Sequence, residues 1–316
     1  MKKVDWDPKL AIEMQNMPKT SRFDDKAKVV RKNVYDNNFE VFAQWGYMAP
    51  SGREVRLTDK QKTLDATRIY RESFCVDGVP SRAEETRICL KEMGSVEAAR
   101  EMIDLGFDPA ILNFADAYHA CGMYNSGSNA QEESICRVST LSQTLYQYYN
   151  RLWANKVGVQ FRPVPAYPMD MNFGGIYSKV TVFRDGPSSG FAFREDPFDT
   201  AVISVAALNL CRQRPGKKTI TNHEFATGDT EDPLTEDGKA VMLNKIRTIY
   251  RIALDNGHDS IVLGAWGCGV FKHNPKQIAR MFLDILSEEE FRNRFREVRF
   301  AVLGEKNYEG FRKVLD

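Results

Sequence analysis

The chain has 316 residues, of which 42% are apolar and 28% charged, enough apolar material for a sizeable core and too much for a disordered tail. Its formal charge of +1 excludes a bulk electrostatic grip on nucleic acid or an anionic membrane, leaving at most a local basic patch. No stretch approaches the apolar length of a membrane span.

In chain order, residues 1–22 read as polar and irregular, a candidate mobile arm carrying Pro8 and Pro18. From Phe23 to about Gln44, Val29, Val30, Val34, Phe39, Val41 and Phe42 fall at helical spacing. Residues 47–53, with Pro50 and Gly52, break that pattern, and 54–57 read as a short strand. Residues 59–81 are mixed. The alternation of 86–92 predicts a strand. Ser95 is placed to cap a helix over 96–105 that Gly106 ends. A buried strand follows over Ile111, Leu112, Asn113, Phe114 and Ala115.

The run from 131 to about 154 predicts one amphipathic helix, and 157–175 a proline-rich loop. Strands are expected at 180–183 and 200–207. Residues 212–233 form a long polar loop, of the kind that is usually functional or mobile. A helix over 236–256, closed by Gly257, precedes a strand at 260–263. Asn274 and Pro275 open another helix as cap and first residue. A strand at 298–303 and a helix at 308–314 complete the chain. The alternation after residue 86 predicts an α/β layered domain over 86–316, with 1–85 as an N-terminal helical extension. There is no internal repeat.

Two loops hold the chemistry. Residues 111–137 read as strand, small-residue loop and helix start, the arrangement by which α/β proteins offer backbone N–H groups to an anion. Gln131, Glu132 and Glu133 stand at its mouth. One carboxylate beside a bound sugar can hold ribose hydroxyls while its neighbour exchanges protons with a glycosidic bond. The competing explanation is that acidic residues in a first helical turn merely complement the helix dipole. The second loop, 264–271, carries Gly264, Gly267 and Gly269 between a strand and a helix. It lacks the Gly-Lys-Ser/Thr ending of a P-loop and the third glycine of a dinucleotide fingerprint. Tight strand–helix turning alone would also explain it.

The motifs Leu112-Asn113-Phe114-Ala115, Gln131-Glu132-Glu133-Ser134-Ile135-Cys136-Arg137, and Gly264-Ala265-Trp266-Gly267-Cys268-Gly269-Val270-Phe271 occur in this order. Tyr177-Ser178, Val180 to Arg184 and Ala206-Ala207-Leu208-Asn209 lie between the last two. Together they resemble the microbial-type poly(ADP-ribose) glycohydrolases, a macrodomain family. The resemblance implies a three-layer macrodomain-like sandwich with a mixed central sheet. It implies binding of ADP-ribose, or of an ADP-ribosylated macromolecule, between the two loops, with no cofactor and no metal. By the same resemblance Glu133 is the general acid that also activates water, and Glu132 orients the distal ribose. Gln131 and Gly122 shape the loop, and Asn113 faces the distal ribose. Gly267, Cys268, Gly269 and Val270 offer N–H groups to the diphosphate, and Phe271 packs on the ribose. Asn307 and Phe311 lie where macrodomains hold adenine, though Phe311 reads equally as core.

One departure stands out. Where the family has three glycines, this chain has Ala120-Cys121-Gly122. A side chain at 120 or 121 disfavours positive φ, which leaves a second possibility, a reader that binds ADP-ribose without cleaving it. A Cys–His nucleophile, from Cys268 with His273 or Cys121 with His119, and a metal site from His119, Cys121 and Cys136 are weaker rivals. The six cysteines include no CxxC pair and read as free thiols of a reducing compartment. MKKVDWDPKL lacks the apolar core of a signal peptide, so the cytoplasm is the expected location.

Overall fold

A computed structural model of the chain describes residues 1–19, 25–212 and 220–316. Phe23, where the first long helix was expected to begin, and residues 213–219 of the polar loop lie outside them.

The N-terminal segment corrects the sequence reading. It is not irregular but forms α1, Pro8–Asn16. The Asp7 side chain accepts the N–H groups of Lys9 and Leu10, and Pro8 supplies a fixed φ at the first helical position. Helix α2, Lys26–Gln44, is capped by Asp25 and buries Val30, Val34, Val41 and Phe42 as the spacing predicts. The segment expected only to break the pattern holds strand β1, Gly46–Met48, antiparallel to β2, Glu54–Arg56. Helix α3, Lys60–Asp65, and strand β3, Arg68–Tyr70, are too short for periodicity to expose. Strand β4, Arg87–Lys91, precedes α4, Ser95–Asp104, in which Gly94 and not Ser95 takes the cap position. Strand β5 spans Pro109–Phe114.

The single helix expected over 131–154 is three: α5, Gln131–Val138, α6, Leu141–Tyr149, and α7, Arg151–Lys156. The first break has a tertiary cause. Thr140 N–H donates to the Thr181 carbonyl at 3.1 Å, and Thr181 N–H donates to Thr140 Oγ1 at 3.0 Å. Ser139 bridges Val182. The second break is Asn150, extended at φ −164°, whose side chain caps α7.

Strands β6, Gly175–Arg184, and β7, Phe193–Val205, extend well beyond their apolar centres. Then follow α8, Glu236–Asp255, β8, Ser260–Leu263, α9, Pro275–Leu286, β9, Glu297–Ala301, and α10, Glu305–Leu315. Asn274 caps α9 with Pro275 at its first position, as expected. No helix among the described residues is long and apolar enough to cross a membrane.

The fold is mixed α/β, with a seven-stranded sheet ordered β3-β6-β7-β5-β8-β9-β4. The run β7, β5, β8, β9, β4 is parallel throughout. Parallel order brings the C-terminal ends of β5 and β8 to one edge, where ligand loops of open α/β sheets lie.

Two compact units divide the chain. The first comprises Met1–Arg68, His119–Tyr167 and Ser178–Thr200; the second comprises Ile69–Tyr118, Pro168–Tyr177 and Ala201–Asp316. In the first unit Val41, Phe42, Tyr47, Phe183 and Phe193 pack together, with Tyr47 stacked on Phe193 at 4.7 Å. In the second, Ile246, Ile249, Tyr250, Trp266, Phe282 and Phe300 form a larger core. Trp266 is wholly buried and its indole N–H donates to the Val205 carbonyl at 2.9 Å, which anchors the 264–271 loop. Trp266→Ala would cost about 3–5 kcal/mol by the cavity it leaves.

Candidate active site

In the first unit, the loop after β5 turns back on the start of α5. Gly122 sits at φ 53° with its N–H on the His119 carbonyl at 3.0 Å. A Cβ there would lie 2.7 Å from Glu133 Oε1 and 3.3 Å from Glu132 Oε2. Both carboxylates therefore press on this one residue, and only glycine fits. Glu132 is 2% and Glu133 5% exposed. Glu133 Oε1 accepts the Met123 N–H at 3.0 Å, while Oε2 is buried with no partner. The carboxyl is thus fixed through one oxygen while the other stays unpaired. A solvated first turn that only complements a dipole would not bury both side chains. Gln131, half-buried, is the first residue of α5, and Ala130 in the cap position makes no side-chain cap.

Cys121 answers the question its side chain raised. It adopts φ 64°, the left-handed conformation that glycine would take freely. The thiol is wholly buried, close to Cys136 of α5 and Tyr146 of α6 behind the loop. Burial pushes both thiols up, so neither is a ready nucleophile. The chain keeps a glycine-like backbone at 121 without glycine, at about 1–2 kcal/mol of strain. Ala120 is likewise buried, at 2% exposure.

The residues behind this loop were not singled out by sequence. Asn38 Nδ2 donates to Tyr124 Oη at 2.8 Å and to the Arg137 carbonyl at 2.9 Å. Asn38 Oδ1 accepts from Arg184 Nε at 2.8 Å. Arg31 Nε donates to the Gly127 carbonyl at 2.7 Å. Arg137, one turn after Glu133, is wholly buried and none of its three side-chain nitrogens has an acceptor. Burial lowers it to about 10, opposed by Tyr124 and Glu133, so it stays charged at neutral pH. Its place in the Ser-x-Cys-Arg motif was the only signal available in the sequence.

In the second unit, Asn113 lies wholly buried near the end of β5 and donates through Nδ2 to Ser204 Oγ at 2.9 Å. The 264–271 loop is shaped by close contacts. A Cβ on Gly264 would meet the Ala301 carbonyl at 2.6 Å, and one on Gly267, at φ 76°, would meet His273 Cδ2 at 2.5 Å. Gly269 faces open space. Cys268 uses its N–H within the turn, on the Ala265 carbonyl at 3.1 Å. The N–H groups of Gly267, Gly269, Val270 and Phe271 have no acceptor among the described residues. Four unused donors on one short loop suit an anion. Val270 is 70% exposed, and Phe271 is half-buried.

The weaker rivals lack support. Burial pushes the Cys268 thiol up, and its S–H points at the Trp266 carbonyl at 3.6 Å. His273 Nε2 lies 2.7 Å from the Leu208 carbonyl and burial lowers it to about 4, so no Cys–His dyad forms. Among the described residues no three His, Cys, Asp or Glu side chains are grouped to hold a metal. Phe311 is core, wholly buried with its ring 5.4 Å from Phe300.

Residues 36–185 match the catalytic domain of microbial-type PARG. Among solved structures, the chain is similar to poly(ADP-ribose) glycohydrolase from Thermomonospora curvata, with 30% identity and a TM-score of 0.69 over 90% of this chain and 98% of that one. The same enzyme bound to the inhibitor ADP-HPD matches at 29% identity and a TM-score of 0.67, with the same coverage. Poly(ADP-ribose) glycohydrolase from Deinococcus radiodurans in complex with ADP-ribose matches at 25% identity and a TM-score of 0.60, over 83% of this chain and 98% of that one. A comparison with curated proteins gave no match.

Proposed function

Since this chain belongs to the microbial-type poly(ADP-ribose) glycohydrolase family and is a glycohydrolase, we infer that it releases ADP-ribose by general acid/base catalysis at Glu133. The observation that carries this is the fixed carboxyl of Glu133, with Oε1 on the Met123 N–H and Oε2 buried and unpartnered. Protonated at Oε2, Glu133 donates to the leaving glycosidic oxygen as the C1–O bond breaks and oxocarbenium character builds on the ribose. The resulting carboxylate then takes a proton from the attacking water, which bonds to C1 and restores the acid. Glu132, beside it and almost fully buried, orients the ribose hydroxyls and stabilises the developing positive charge.

The free N–H groups of Gly267, Gly269 and Val270 hold the diphosphate, Phe271 covers the ribose, and Asn113 and Gln131 complete the contacts. The substrate is ADP-ribose attached to a macromolecule, as polymer or single unit. The T. curvata and D. radiodurans enzymes, named for the polymer, support the first form. Six free thiols fit a reducing compartment, and we place the protein in the cytoplasm.

The test pairs calorimetric binding of ADP-ribose with release of ADP-ribose from a modified protein. The parent should bind and release; Glu133→Gln should bind and not release. Binding without release by the parent would identify a reader, and release surviving Glu133→Gln would remove Glu133 from the mechanism.

A further inference from the structure

Helix α5 carries a cation with no counter-ion in contact. Arg137 is wholly buried, and its Nε, Nη1 and Nη2 atoms have no acceptor among the described residues. Taking a guanidinium out of water without a partner is strongly unfavourable. An apolar side chain of similar length would fill the same space without that penalty. Packing alone therefore does not explain an arginine here. Nor does anchoring of the main chain, since it is the Arg137 carbonyl that takes the Asn38 hydrogen bond.

Arg137 follows Glu133 by one helical turn, so both lie on one face of α5, with Cβ atoms about 5–6 Å apart. Their side chains do not hydrogen-bond, so one acts on the other through space. Three groups support the charge of Arg137: Tyr124, Glu133 and Cys136. Burial pushes the Tyr124 phenol and the Cys136 thiol up, which keeps both neutral and leaves Glu133 the only carboxyl among the three.

The other titratable groups around this face are Glu132 on α5, Cys121 on the loop, Tyr146 on α6, and Tyr35 and Arg31 on α2. Burial pushes Cys121, Tyr35 and Tyr146 up as well, so they too stay neutral. Arg31 opposes Arg137, but its Nε is bonded to the Gly127 carbonyl and its charge faces Asp25. Glu132, almost fully buried, is the like charge beside Glu133. Neighbouring buried carboxyls hold a proton more tightly, and a desolvated cation beside them works the other way.

We propose that Arg137 is a positioning residue for the glycohydrolase reaction: its buried charge acts across one turn of α5 on Glu133 and sets how readily that acid gives up its proton. This rests on Glu133 as the acid inferred above. Arginine suits the task because a guanidinium stays charged when desolvated, where a lysine readily loses its proton.

The test follows Arg137→Met in the full chain by two readouts. The first is the pH profile of ADP-ribose release from a modified protein. A general acid works in its protonated form, so the alkaline limb of kcat reports it. Removing the cation favours that form, and the limb should move up by at least about one pH unit, with KM little changed. The second readout needs no turnover. The ¹³C carboxyl signal of Glu133, assigned by its loss in Glu133→Gln, should titrate at higher pH in Arg137→Met by the same amount. Arg137→Lys, which restores a cation, should fall between the two. If Arg137→Met did not fold, Arg137→Gln should move both readouts in the same direction. A limb and a carboxyl signal both unmoved, or a change in KM alone, would overturn the proposal and leave Arg137 a structural residue. A signal that moves without the limb would uphold the action on Glu133 and take the acid's role from that residue. If the parent released nothing, the inferred function would fall, while the carboxyl signal would still decide whether Arg137 acts on Glu133.

Discussion

The two glycine loops use the same residue for opposite purposes. In the 120–130 loop, Gly122 makes room for a pair of buried carboxylates, and nearby N–H groups are taken up by His119 and Glu133. In the 264–271 loop, Gly264 and Gly267 let the chain close on Ala301 and His273, and four N–H groups stay unused. One loop presents acids beside its main chain; the other presents main chain and no acid. The difference teaches that a glycine-rich loop is informative only once its N–H groups have been accounted for.

If that division of labour is right, the largest effect belongs to Glu133. Glu133→Gln should slow release by about 10²–10⁴-fold, the usual worth of a general acid, with ADP-ribose affinity changed little in calorimetry. Comparable losses of rate and affinity would make Glu133 a binding residue instead. Next comes the acid dependence of the second loop. His273 is held neutral by burial, with its pKa at about 4, while in the unfolded chain it returns to about 6.5. The unfolded state therefore binds the extra proton first, and stability is lost as pH falls from about 6.5 to 4, by about 3 kcal/mol. Urea titrations at stepped pH should give that slope, and His273→Gln should flatten it.

A smaller contrast separates the glycines themselves. Gly122→Ala forces a Cβ against Glu133 at a left-handed residue and should cost at least about 1–2 kcal/mol in urea denaturation. Gly269→Ala meets nothing within 4 Å and should stay within about 0.5 kcal/mol. Equal costs would erase the structural distinction between the loops. The smallest effect is expected at Cys121. Its backbone already holds φ 64°, so Cys121→Gly should change the release rate by less than about threefold, well under 1 kcal/mol in barrier. A tenfold gain would mean that the thiol suppresses turnover.

Much of this was legible in the sequence, and the failures have physical causes. Asn274 and Pro275 mark the start of α9 because cap chemistry is local. Asp7 and Pro8 carry the same signal for α1, but nine residues give too little period to confirm it. The break between α5 and α6 was invisible because its cause is Thr181, some forty positions away, bonding to Thr140. The resemblance singled out the carboxylate pair and the 264–271 loop, but not that the Cys268 N–H, expected to face a diphosphate, is spent on Ala265 within the turn. The conformation of Cys121 was not legible, since a side chain argues for negative φ and its neighbours Cys136 and Tyr146 come from two helices behind it.

The central claim is that one carboxyl oxygen, left bare beside a loop built around a single glycine, moves the proton. Single-turnover release from an ADP-ribosylated protein, with parent and Glu133→Gln compared at saturating enzyme, tests it without interference from binding. The account expects a fast phase in the parent and none in the variant. A variant phase of undiminished rate would contradict it.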